Sequence, residues 1–206
     1  TGSETILTGL APGDYDVVLT AEDAEGLAAT AQTTLTISPL GVPDVPSSVD
    51  DPELDGFCDD EAYAGGPLIA LRPYPDGSQG AVHLIRSDDY LWACFSGLER
   101  GSASMMQAPM NSAGLVIDPN HSGENSLQSD DYWLFVQENG TPATWAGPTW
   151  DASSGSDGLL TRISANDNAW NAELRIDAGV FGGWGHAVGL ELLHVWVLQS
   201  GDNHYG

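Results

Sequence analysis

The sequence predicts an all-β chain whose main body is an antiparallel β-sandwich of jelly-roll-like type. Three observations carry this. From residue 55 onward the apolar runs are short and bounded by Gly, Asp, Asn and Pro, which is the punctuation of strands and turns. No stretch carries a convincing 3.6-residue apolar period. And "YWLFV" is apolar on both faces, with Tyr132, Leu134 and Val136 on one side and Trp133 and Phe135 on the other, as expected of a central strand covered twice. The expected strands are "PLIALR", "GAVHLIR", "DYLWACFSG", "SAGLVID", "DYWLFVQ", "LLTRISA", "NAWNAELRID" and "AVGLELLHVWVL". In "WNAELRID", Trp170, Ala172, Leu174 and Ile176 form a core face. Asn171, Glu173, Arg175 and Asp177 form the outer row, with Arg175 placed to offset the like charges two residues to either side.

Residues 1–37 read differently. "ETILTGLAPGDYDVVLTAEDAEGLAATAQTTLTI" divides into three short strands at "APGD" and "DAEG", and Tyr15, Val17 and Leu19 alternate with Asp16, Val18 and Thr20. The pattern "L.PG.Y.V.L.A.D..G" before a Thr-rich strand resembles the C-terminal half of an immunoglobulin-like or polycystic-kidney-disease-type repeat. Three strands cannot bury an apolar face or close their edges. The segment is therefore expected to pack on upstream sequence, on the second domain, or on another subunit by strand donation. Residues 38–54, "SPLGVPDVPSSVDDPEL", hold four Pro and read as a semi-extended linker. The expected domains are thus 1–37, 38–54 and 55–206.

Thirty acidic residues stand against five Arg and no Lys, a net charge of −25. That field opposes nucleic acid and anionic lipid, and no apolar run of about 18 residues offers membrane insertion. The acidity has two readings, a solvated surface or a set of cation sites. Asp outnumbers Glu twenty to ten, and Asp in turns is the raw material of Ca²⁺ sites. Cys58 and Cys94, an even pair without metal-ligand spacing, are expected to form a disulfide worth roughly 4 kcal/mol in the chain-entropy model. Such a bond places the chain outside the cytoplasm; two buried thiols in a cytosolic protein are the alternative.

The segments "VDDPELDGFCDDEAY", "DDYLWACFSGLERG", "GLVIDPNHSGENSLQSDDYWLFVQENG", "WNAELRIDAGVFGGWGHAVGLELLHVWV" and "GDNHY", in that order, resemble the family 9 carbohydrate-binding modules and their DOMON-related relatives over about residues 50–206. The resemblance implies a non-catalytic, extracellular bacterial β-sandwich with calcium held in loops and, in sugar-binding members, a sugar clamped between two Trp.

Seven Trp punctuate the chain. Trp92, Trp133, Trp170 and Trp196 lie within strand patterns and are expected in the core. Trp145, Trp150 and Trp184 lie among Gly, Pro and Thr. They are candidates for a sugar platform, with Asp151, Asn166 and Asn168 as hydroxyl partners, or for plugs at the sandwich ends. Calcium has two candidate loops: Asp118, Asn120, Glu124, Asp130 and Asp131 in "IDPNHSGENSLQSDD", and Asp55, Asp59, Asp60 and Glu61 in "DDPELDGFCDDE". Both offer oxygen donors in turns; solvated turn carboxylates are the competing reading.

An enzyme is not expected. "GxSxG", "HExxH" and Cys-His arrangements are missing, the five His lack zinc-like spacing, and thirty acids make some carboxylate pair inevitable by chance. Two functions follow. One is a secreted or cell-surface binding or adhesion module for a glycan, stabilised by calcium. The other is a structural subunit of an extracellular filament or array that self-assembles with a neighbouring protein subunit through residues 1–37.

Overall fold

The computed structural model describes residues 13–22, 26–37, 45–48, 50–101, 111–122, 127–147, 151–153, 158–197 and 203–205. The chain divides into two compact units, Thr1–Asp44 and Val45–Gly206. In the first, β1 (Gly13–Glu22) and β2 (Ala28–Ile37) form a two-stranded antiparallel ribbon. Its register sets Tyr15 opposite Leu35, Val17 opposite Thr33 and Leu19 opposite Ala31. The first of the three expected strands falls outside the described residues.

The second unit is a sandwich of two antiparallel sheets. One has five strands in the order β10-β11-β5-β4-β3: β3 (Leu68–Ala70), β4 (Ala81–Arg86), β5 (Tyr90–Glu99), β10 (Leu159–Ala165) and β11 (Ala169–Asp177). The other has six in the order β13-β12-β6-β7-β8-β9: β6 (Ser112–Asp118), β7 (Tyr132–Gln137), β8 (Pro142–Ala146), β9 (Asp151–Ser153), β12 (Gly189–Val197) and β13 (Asn203–Tyr205). Val82, Leu84, Ala93 and Phe95 of the first sheet, with the row Trp170, Ala172, Leu174 and Ile176, pack in one core with Ala113, Leu115, Ile117, Leu134 and Val136 of the second. Alternation thus placed the core correctly, and Trp92, Trp133, Trp170 and Trp196 are all 5 % exposed or less.

Each sheet also has a second face, and the two are covered differently. Over the five-stranded sheet lie Leu54, Cys58 and a 3₁₀ turn, Glu61–Gly65, whose Tyr63 packs with Ile85, Trp92 and Cys94. The disulfide Cys58–Cys94, Cα atoms 5.6 Å apart, fastens this layer to β5. Residues 45–48, within the stretch expected as linker, join the same layer. Ser48 N–H donates to Arg86 O at 2.8 Å, Arg86 N–H to Pro46 O at 3.0 Å, and Arg86 Nε to Val45 O at 3.1 Å. Pro46 gives up only a donor; its carbonyl and its neighbours' still accept, which is why a Pro-rich stretch can dock on a strand.

Candidate functional site

The outer face of the six-stranded sheet carries a separate apolar cluster. Trp133, Phe135 and Val195 are buried there, ringed by half-buried Val116, Ala143, Trp145 and Leu193. Register explains it: Trp133 faces Trp145 and Phe135 faces Ala143 across β7 and β8. The three rings meet edge-on, with Trp145 centroids 5.2 Å from Trp133 and 5.0 Å from Phe135, at 84° and 80°. This is the geometry aromatic quadrupoles prefer, and it holds the Trp145 indole by its neighbours while leaving part of its surface accessible. Trp145 therefore sits on a strand, not in a loop as its Pro and Gly neighbours imply. Asp151 opens β9 opposite Ala146; its side chain, and Trp150, lie outside the described residues.

The other candidates are dispersed. Trp184 is a plug: it packs on Phe181 at 5.0 Å, lies under the Arg86 guanidinium at 5.2 Å, and donates Nε1–H to Asp88 O at 2.9 Å. Asn166 and Asn168 occupy the β10–β11 turn. There Asn166 Oδ1 accepts from the Asn168 and Ala169 amides, each at 2.9 Å, so its side chain is spent on the turn.

In the described part of the 118–131 loop the acids are tied into local hydrogen bonds. Asn120 Nδ2 donates to Asp130 Oδ2 at 2.5 Å, and Ser122 Oγ to Asp118 Oδ2 at 3.5 Å. Asp131 is 6 % exposed; its Oδ2 accepts from Gln128 N–H at 2.6 Å, while Oδ1 is buried with no hydrogen-bond partner. Glu124 lies outside the described residues. In the 55–61 loop Asp55 Oδ1 accepts from Phe57 N–H at 2.8 Å, and Asp55 and Asp59 are exposed. Among the described residues no three His, Cys, Asp or Glu side chains converge as a metal cluster.

Two solved structures share the fold of this chain. A family 9 carbohydrate-binding module from Caldicellulosiruptor kristjanssonii, in complex with cellotriose, superposes with a TM-score of 0.56 at 18 % identity, covering 78 % of this chain and 80 % of that one. One from the same organism in complex with glucose gives 0.59 at 21 %, covering 78 % and 82 %. The fold is that of a family 9 carbohydrate-binding module. No protein-family model and no curated protein matches the sequence.

Within this family 9 fold the chain holds two buried polar groups that sequence reasoning passed over. Glu173, fully buried, accepts from Tyr63 Oη at 2.6 Å and from the amides of Asp55 and Gly56, each at 3.0 Å. Burial raises its pKa and these three donors oppose the rise; the Tyr63 hydroxyl is also pushed up, by burial first and then by Glu173. Gly56 must be glycine here: its φ is +90°, and a Cβ would sit 2.5 Å from the Ile163 carbonyl carbon. The period-2 pattern shows Glu173 pointing outward but cannot show that a loop from 118 residues earlier covers it. The second group is His194, fully buried on the core side of β12. Its Nδ1 lies 2.9 Å from Tyr74 Oη and its ring is stacked on Trp196 at 4.9 Å and 10°. Burial holds its pKa down at about 3 and raises that of Tyr74 to about 12, so both are neutral near pH 7.

Proposed function

We propose that residues 45–206 form a non-catalytic, secreted or cell-surface bacterial module that binds a glycan on the outer face of the six-stranded sheet, at Trp145. The observation that carries this is the shared fold with modules solved in complex with cellotriose and glucose. Trp145 supports it, because an accessible indole held edge-on by Trp133 and Phe135 suits the C–H face of a pyranose. The disulfide is consistent with an oxidising compartment. A glycan array run with and without a chelator tests the reading: binding to glucose-based oligosaccharides is expected, and silence under both conditions counts against it.

Calcium is part of this proposal, at the 118–131 loop. The buried Asp131 Oδ1, which has no hydrogen-bond partner, and the side-chain oxygens that Asp118, Asn120 and Asp130 supply in the same loop suit a hard cation. The ion would neutralise carboxylates that otherwise repel one another.

A second reading is favoured by one observation. On the β1–β2 ribbon Leu19 is 68 % exposed, an apolar side chain that a neighbouring subunit would cover. Assembly with a neighbouring subunit through this ribbon predicts a concentration-dependent oligomer by size-exclusion chromatography. That oligomer should disappear when residues 1–37 are removed; a monomer in both cases contradicts the assembly reading.

A further inference from the structure

The position of Arg175 is unexpected in so acidic a chain. Five arginines face thirty carboxylates, and Arg100 pairs with Glu138 at 2.6 Å. Arg175 makes no hydrogen bond or ion pair among the described residues. The two acids expected to flank it are both engaged elsewhere: Glu173 under the 55–63 layer, and Asp177 at the following 3₁₀ turn, where Oδ1 accepts from Gly179 N–H at 2.7 Å. Instead the guanidinium lies over Tyr90, 4.4 Å from the ring centroid, and 5.8 Å from that of Trp92. Stacking fixes the plane of an arginine and leaves its N–H donors pointing outward from the ring edge.

The surroundings add to this fork. β10 is an edge strand, and its register sets Leu160 opposite Arg175 and Arg162 opposite Glu173. Arg162 therefore lies on the same outward face, one diagonal step from Arg175. It is exposed, with NH1 donating to Thr161 O at 3.0 Å. Leu160 is 48 % exposed. The patch joins two guanidinium groups to an aromatic and an aliphatic surface, on the opposite sheet from Trp145.

We propose that this patch is a second ligand site, which takes the carboxylate of a uronic acid residue on the Arg175 fork with the sugar body against Leu160 and Tyr90. Planar bidentate pairing is what a guanidinium offers a carboxylate and a lysine does not. The net charge of −25 repels polyanions, so the ligand is an isolated uronate on an otherwise neutral glycan. A second copy of this acidic chain is disfavoured on the same ground. The class of ligand rests on the glycan-binding reading above; the site itself does not use Trp145.

The test is an NMR titration of the full chain, following the arginine Nε–Hε signals, with methyl β-glucuronide and methyl β-glucoside, which differ only at C6. The glucuronide is expected to bind about tenfold tighter, the worth of a charged hydrogen bond. Arg175→Lys, which keeps the charge and loses the fork, should bring the two to parity, and the exposed Arg162→Gln should reduce the preference by about threefold. Equal affinity in the wild type, or a preference that survives Arg175→Lys, overturns the inference. So does an Arg175→Lys effect confined to self-association. Cellotriose, titrated against Trp145 in the same samples, separates the two readings: cellotriose binding without a glucuronide preference overturns this inference alone, and no binding of either sugar overturns both.

Discussion

The two outer faces of the sandwich have been finished in opposite ways. On the five-stranded sheet a layer from residues 45–66 is fastened by one covalent bond, Cys58–Cys94, and by a buried carboxylate, Glu173, that collects a phenol and two backbone amides. On the six-stranded sheet Trp133 and Phe135 are buried in a purely apolar cluster, and Trp145 is left half-buried at its margin. A polar, covalent seal specifies one geometry because every donor needs its acceptor. An aromatic surface is tolerant, and suits a ligand that presents C–H faces. The difference is between a face closed over most of its width by a fastened layer and a face whose aromatic margin is left accessible.

Mutations should divide along the same line. Glu173→Ala leaves the Tyr63 hydroxyl and the Asp55 and Gly56 amides without their acceptor and is expected to cost about 4 kcal/mol of stability. Replacing both cysteines by Ser should cost a similar amount, about 4 kcal/mol. Chemical denaturation measures both, and a loss under about 1 kcal/mol for Glu173→Ala would mean the seal is ornamental. Phe135→Ala should also cost about 4 kcal/mol, as a cavity beneath the aromatic surface. Trp145→Ala, only half-buried, should cost about 1 to 2 kcal/mol of stability while abolishing cellotriose binding.

Acid should act from the interior between the sheets. His194 is neutral in the folded state, with its pKa at about 3, but titrates near 6.5 when unfolded. The unfolded chain therefore binds the extra proton as pH falls below about 6.5, and stability drops by up to about 1.4 kcal/mol per pH unit until the folded-state value is reached. Glu173 has the opposite sign: its raised pKa favours the folded state at low pH and is lost as pH rises through it. Denaturation midpoints between pH 7 and 4 should thus fall in the wild type and flatten in His194→Gln; parallel curves would contradict the assignment. The smallest expected effect is on the 118–131 loop, where chelator should lower the melting temperature by a few degrees, on the order of 1 kcal/mol.

The strands and the core were legible because alternation is a local property. β6 and β10 coincide with the expected "SAGLVID" and "LLTRISA". β8 was not legible: Pro142 opens it, and a Pro beside Gly reads as loop unless a partner strand is known. Glu173 and Arg175 were read as an outer row, which they are, but alternation is blind to the layer that buries one and to the ring that carries the other. Trp184 was legible as a platform or a plug, and the local sequence could not choose between them, since its fate depends on Asp88, 96 residues away.

The central claim is that Trp145 marks a glycan-binding face on the six-stranded sheet. Isothermal titration of cellotriose into the wild type and into Trp145→Ala, both shown to be folded, tests it most directly. Saturable heat in the wild type that vanishes in the variant is the predicted result; equal heat in the two, or none in the wild type, contradicts it.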